Sequence, residues 1–173
     1  MEQLYLFTNA DQETKKKAAI NQQHEWLLFV DGASRNNPGP AGAGIYLLKN
    51  KIPVYKEGFF LGIKTNNEAE YLAFLLGIFL LQKRLQMGDV VRVVSDSELL
   101  VKQINGLYKV RRPHLKPLYA LAQQRVKAIG AKVMHVLRTE NKQADKMANR
   151  GIDYKKSLPA DFITFLQQHE IEL

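Results

Sequence analysis

Residues Tyr71 to Leu81 form an unbroken apolar run of eleven residues, and no other stretch restricts the fold as strongly. The run follows Thr65-Asn66-Asn67, whose side chains suit a helix start, so a helix is predicted from there to about Leu85. It is well short of the ~20 apolar residues that span a bilayer. A helix that is apolar on most sides is stable in water only when other elements cover it. The rest of the chain therefore has to wrap this segment, and its 173 residues allow one domain to do so.

The covering elements read mainly as strands. Trp26 to Val30 is a short apolar run that ends at Asp31, as a buried strand would. Arg35-Asn36-Asn37-Pro38-Gly39-Pro40 is dense turn chemistry. Ala41 to Leu48 is Gly-rich and apolar, and Ile52 to Ile63 alternates around Val54, Phe59 and Leu61. These three runs read as antiparallel strands joined by short turns. After the central helix, Val90 to Val94 is a β-branched strand closed by Ser95-Asp96-Ser97, which opens another helix. Pro113 to Ile129 reads as helix, Lys132 to Leu137 as a fifth strand, and Asn141 to about Arg150 as a helix ending at Gly151. The predicted order is βββαβααβα, an α/β domain with one mixed sheet and helices on its faces. Three regions are expected: an N-terminal extension over 1–24 with the Lys15-Lys16-Lys17 run, a compact core over 25–152, and a C-terminal tail over 153–173. The tail carries a short amphipathic helix through Phe162, Phe165 and Leu166, and both ends read as appendages.

Composition removes several classes of function. Without cysteine there is no disulfide framework, thiolate zinc site or cysteine nucleophile. The opening Met1-Glu2-Gln3 lacks a basic segment followed by an apolar one, so no signal peptide and a cytoplasmic location are expected. The net charge of +8 is unevenly spread. Between Val101 and Lys142 there are ten basic residues, among them Lys109, Arg111 and Arg112, and only Glu140 is acidic. A single-sign stripe of this kind suits a polyanion partner.

Carboxylates stand at the element ends. Asp31 ends the first strand, where a turn role is also open. Glu68 and Glu70 compete for a place in the first turn of the long helix, since Thr65-x-x-Glu68 and Asn67-x-x-Glu70 both fit a capping box. Asp96 ends the fourth strand, where a cap for the next helix is also open, and Asp145 lies near the start of the last helix. A central sheet would bring several of these to one edge. Converging carboxylates repel and push one another's pKa up. A hard divalent cation removes that cost, and oxygen ligands suit Mg²⁺ or Mn²⁺. Two such ions can activate water and steady a leaving oxygen in phosphodiester cleavage.

Taken together, Asp31-Gly32-Ala33-Ser34 with Asn37-Pro38-Gly39, Thr65-Asn66-Asn67-x-x-Glu70, Ser95-Asp96-Ser97 and Asn141-x-x-x-Asp145 resemble type 1 ribonuclease H. They occur in that family's order over roughly two-thirds of the chain. Val101 to Tyr119, with Asn105-Gly106 and Leu115-Lys116-Pro117-Leu118, resembles its compact, archaeal-like branch. The resemblance implies a ribonuclease H-like fold, a five-stranded mixed sheet in the order 3-2-1-4-5 flanked by helices. It also implies an endonuclease that hydrolyses the RNA strand of RNA/DNA hybrids, leaving 5′-phosphate and 3′-hydroxyl ends. Asp31, Glu70, Asp96 and Asp145 would be the catalytic tetrad and hold two Mg²⁺, with Mn²⁺ able to substitute. Glu70 is thereby preferred to Glu68, which keeps its capping role with Thr65. Asn37, Asn66 and Asn67 would touch the hybrid's sugar-phosphate backbones and Thr65 a DNA-strand phosphate. Many bacterial relatives carry a loop histidine before the last acid, and Leu137-Arg138-Thr139-Glu140-Asn141 has none. Arg138 is the candidate for work near the scissile phosphate, and His135 is expected to be a structural residue inside the fifth strand. Lys109, Arg111 and Arg112 would supply phosphate contacts. The partner expected is the hybrid duplex alone, bound by a monomer with no membrane or protein partner.

Overall fold

In a computed structural model, the structure describes residues 23–173. The N-terminal extension with its lysine run therefore lies outside the described residues, apart from its last two positions. Strands β1 (Glu25–Ser34), β2 (Gly39–Lys49) and β3 (Ile52–Lys64) form an antiparallel meander. Helix α1 (Asn66–Gln82) follows, then β4 (Val90–Ser95) and α2 (Glu98–Ile104). A 3₁₀ turn over Pro113–Leu115 leads into α3 (Lys116–Ile129), and β5 (Lys132–His135) precedes a second 3₁₀ turn over Arg138–Glu140. Helices α4 (Lys142–Tyr154) and α5 (Ala160–Gln167) complete the chain. The sheet order is β3-β2-β1-β4-β5, with β4 parallel to both β1 and β5. This is the mixed sheet and strand order implied by the resemblance.

The apolar run behaves as its composition requires. Tyr71, Phe74, Leu75, Leu76, Ile78 and Leu81 of α1 are fully buried against the sheet on one side and α3 on the other. Helix α4 covers the opposite face of β1, β2 and β3. The end of β1 passes so close to α1 that a Cβ on Gly32 would stand 2.2 Å from the backbone of Ala69 and Glu70. Only glycine permits that approach, and it sets Asp31 next to the first turns of α1. No helix among the described residues is long and apolar enough to cross a membrane.

Four expectations are corrected. Helix α4 does not end at Gly151: it runs to Tyr154, and Lys155 takes the left-handed position at φ 48°. Gly151 is instead a contact residue, since a Cβ there would lie 2.4 Å from the Phe59 carbonyl oxygen. Strand β5 ends at His135 rather than Leu137, because Arg138–Glu140 turns away from the ladder. His135 is exposed, not enclosed, since β5 is an edge strand in which only Val133 is buried. Finally, the C-terminal stretch is part of the core. Phe162 and Leu166 are fully buried, and Phe79 of α1 packs on Phe162 and Phe165 with ring centroids 5.3 and 5.1 Å away.

Candidate active site

At the carboxyl ends of β1 and β4, a cleft of about 320 Å³ is lined by Asp31, Glu70, Asp96 and Asp145. Four different elements deliver them. Asp31 comes from β1, Glu70 from the second turn of α1, Asp96 from the residue after β4, and Asp145 from the first turn of α4. Parallel pairing of β1 with β4 brings the first and third to one sheet edge. The helices that cover the two faces supply the others.

The competition between the two glutamates is resolved by hydrogen bonding. Thr65 caps α1: its hydroxyl oxygen accepts from the Glu68 backbone N–H, and its own N–H donates to Glu68 Oε2 at 2.8 Å. Despite partial burial, the Thr65 hydroxyl and N–H hold the Glu68 carboxyl below its usual range. Glu68 does not line the cleft; Glu70 does. Nor is Asp96 a helix cap, because Ser97 takes that position and accepts from the Leu100 N–H.

Glu70, Asp96 and Asp145 are each held by a partner. Ser97 Oγ donates to one oxygen of Glu70 at 2.5 Å and Asn66 Nδ2 to the other at 2.9 Å. Asn141, fully buried, donates through Nδ2 to Asp96 Oδ1 at 2.6 Å and to the Val30 carbonyl at 3.0 Å. It thus ties the end of β1 to the residue after β4. Arg138 Nη2 donates to Asp145 Oδ1 at 2.7 Å. Burial pushes Asp31 up to about 7, reinforced by the charges of Asp96, Asp145 and Glu70 and opposed by Arg138. Burial likewise pushes Glu70 up to about 7, with Asp96 adding to the rise and the Ser97 and Asn66 hydrogen bonds opposing it.

A donor set of four carboxylates, without sulfur or imidazole, fits a hard divalent cation. Burial, reinforced by neighbouring like charge, raises Asp31 and Glu70 toward neutrality, and a cation offsets both costs. Among the described residues no three acidic or histidine side chains converge as a finished coordination shell. Asp145 is turned to Arg138 and Asp96 to Asn141.

The other residues expected at the site divide into two groups. Asn66 lines the cleft, and its backbone N–H donates to Asn37 Oδ1 at 2.8 Å, so the β1–β2 turn and the start of α1 form one polar rim. Thr65 and Asn67 flank Asn66, both half-buried. Lys109, Arg111 and Arg112 are exposed on the segment between α2 and α3 and do not line the cleft. Ser97 and Asn141 belong to the sequence motifs without being among the expected site residues; their fixed spacing from Asp96 and Asp145 is the signal that marks them. Arg35 and Asn149 also line the cleft, and nothing in the sequence pattern marked them.

A family profile described as reverse transcriptase-like matches residues 29–151, a span containing all four acids. The chain is 34% identical over 128 residues to a protein named ribonuclease HI from Halobacterium salinarum, covering 72% of this chain and 63% of that protein. The chain thus spans slightly less than two thirds of that relative's length. It is 32% identical over 151 residues to a ribonuclease H from Coxiella burnetii, covering 78% of this chain and 94% of that one. Among solved structures, LC11-RNase H1, isolated from compost by a metagenomic approach, superposes with a TM-score of 0.72 at 33% identity, over 75% of this chain and 96% of that one. LC11-RNase H1 in complex with an RNA/DNA hybrid gives a TM-score of 0.69 at 33% identity, over 75% and 97% of the two chains.

Proposed function

The chain belongs to the type 1 ribonuclease H family, and from that membership we propose that it hydrolyses the RNA strand of RNA/DNA hybrids with two bound Mg²⁺ ions, leaving 5′-phosphate and 3′-hydroxyl ends. The observation that carries this reading is the meeting of Asp31, Glu70, Asp96 and Asp145 in one cleft beside the Asn37–Asn66 rim. Asp31, Glu70, Asp96 and Asp145 would hold the ions, and Mn²⁺ has the same preference for oxygen ligands. When bound, they supply a water of lowered pKa and neutralise charge on the leaving oxygen.

The chain's own groups do the positioning. Ser97 and Asn66 fix both oxygens of Glu70, and Asn141 fixes Asp96, so the ligands are set before substrate arrives. The wide minor groove of an A-like duplex presents 2′-hydroxyls to amides and backbone groups. The Asn37, Asn66 and Asn67 amides supply such donors and acceptors on the rim, and Thr65 beside them takes a phosphate of the DNA strand. These contacts carry no base identity, so cleavage is largely independent of sequence. Lys109, Arg111 and Arg112 add phosphate contacts further along the duplex. Arg138, always charged, presents donors to a phosphate oxygen next to the reacting phosphorus. The reading includes a monomer acting in the cytoplasm.

Labelled RNA/DNA hybrid, single-stranded RNA, double-stranded RNA and double-stranded DNA, each incubated with Mg²⁺, Mn²⁺ or EDTA, test the proposal. Hybrid alone should be cut efficiently, EDTA should abolish cutting, and the products should accept ligation at their 5′ ends without prior phosphorylation. Asp96→Asn should lower turnover by orders of magnitude and leave hybrid affinity nearly intact, because a metal-holding carboxylate serves chemistry more than binding. Metal-independent cutting, or normal turnover by Asp96→Asn, would overturn it.

A further inference from the structure

Two arginines line the cleft. Arg35 is turned outward to Asp153, and Arg138 is turned inward to Asp145. Arg138 reaches in from solvent: its side chain is 77% exposed, whereas that of Asp145 is 28% exposed. The contact is a single one, Nη2 to Oδ1 at 2.7 Å, and not the paired fork that an arginine can form with a carboxylate. A guanidinium has donors only and stays charged at every working pH. A divalent cation on the same carboxylate repels it, so each occupant weakens the hold of the other.

We infer that Arg138 is a resident counter-ion that competes with divalent metal for Asp145, so that metal loading at this carboxylate and release of Arg138 toward the substrate phosphate are one coupled step. The inference rests on the reading that the four acids hold metal. The coupling is reciprocal: the arginine weakens metal binding by the factor by which metal weakens the arginine contact. A solvent-exposed pair of this geometry sets that factor at about two- to fivefold. The weakness suits the role, since a tight, buried pair would lock the cation out. It also biases the order of events, because an ion at Asp145 raises the fraction of guanidinium that is free for a phosphate.

The test uses the whole protein without nucleic acid. Mg²⁺ is titrated into wild type, Arg138→Gln and Arg35→Gln, following backbone amide shifts around Asp145 and the guanidinium ¹⁵N signals of Arg138 by NMR. Arg138→Gln should bind Mg²⁺ about two- to fivefold more tightly. Arg35→Gln, with the same charge change in the same cleft but no contact to the cluster, should stay within about 1.5-fold of wild type. In wild type the Arg138 guanidinium signal should shift with the same midpoint as Mg²⁺ binding. Equal affinities in all three proteins, or a guanidinium signal that persists unshifted through saturation, would overturn the inference and leave the metal reading intact. Absence of Mg²⁺ binding to all three would overturn both.

Discussion

Glu70 is gripped at both carboxylate oxygens, by the Ser97 hydroxyl on one side and the Asn66 amide on the other. Both hydrogen bonds favour the ionised form, while burial favours the protonated one, and burial prevails with Glu70 near 7. Asp31 has the same balance and also lies near 7. Both folded values stand above the unfolded carboxylate range, so between about pH 4 and about pH 7 the native state holds more protons than the unfolded state. Stability from these two groups is therefore complete in acid and is lost as pH rises through 7, and bound Mg²⁺ should restore it at the alkaline end. Removing the Ser97 hydroxyl raises Glu70 further. Ser97→Ala should thus weaken Mg²⁺ binding several-fold near pH 6.5 and much less near pH 8.5, where Glu70 is ionised in both proteins. Ser97→Thr, which keeps the hydroxyl, should behave as wild type. Calorimetric titration at the two pH values checks this, and a Ser97→Ala deficit independent of pH would mean that the hydroxyl does not set the ionisation of Glu70.

At the scale of the element, α1 combines two unrelated tasks within one turn. Glu68 closes the capping box with Thr65, and Glu70, about 200° around the helix, faces the cleft. Substitution should separate them. Glu68→Ala removes a reciprocal cap and should cost about 1 kcal/mol of stability with turnover within about twofold of wild type. Glu70→Gln should leave the unfolding midpoint almost unmoved, or raise it by removing a buried charge, and lower turnover by orders of magnitude. Urea unfolding and steady-state rates on both variants decide it; a Glu68→Ala enzyme that is stable and inactive would reverse the assignment. The β5 element carries the opposite lesson. Its β-branched and apolar residues suggest an enclosed strand, but as the last strand of the sheet it buries only Val133. His135 is consequently a surface residue and not the enclosed one that its sequence neighbours suggest.

Across the whole molecule, the core closes only when the C-terminal stretch is included. Phe162 and Phe165 of α5 sit against Phe79 of α1, and Leu166 and Ile171 are buried too. Phe162→Ala should therefore destabilise the protein by about 3–5 kcal/mol, the range for truncating a fully buried aromatic side chain. A midpoint shift in urea equivalent to less than about 0.5 kcal/mol, the range for a surface substitution, would return α5 to the status of an appendage. The amino-acid sequence by itself determined the order of the strands and helices, because hydrophobic period, β-branched runs and turn residues are local properties of the chain. Which acids belong together came from the resemblance of the motifs Asp31-Gly32-Ala33-Ser34, Thr65-Asn66-Asn67-x-x-Glu70, Ser95-Asp96-Ser97 and Asn141-x-x-x-Asp145 to type 1 ribonuclease H, since the residues alone left Glu68 and Glu70 in competition. The tertiary structure decided what depends on contacts between residues distant in the chain. Gly151 reads locally as a helix stop, yet Phe59 of β3 presses on it and the helix continues; only packing reveals that contact. Asn141 is one polar residue among many until β1 and β4 meet, whereupon it bonds to Val30 and Asp96, 111 and 45 residues away. The Arg138–Asp145 pair and the raised pKa values of Asp31 and Glu70 are of the same kind, because field and desolvation follow distance in space, which sequence separation does not measure.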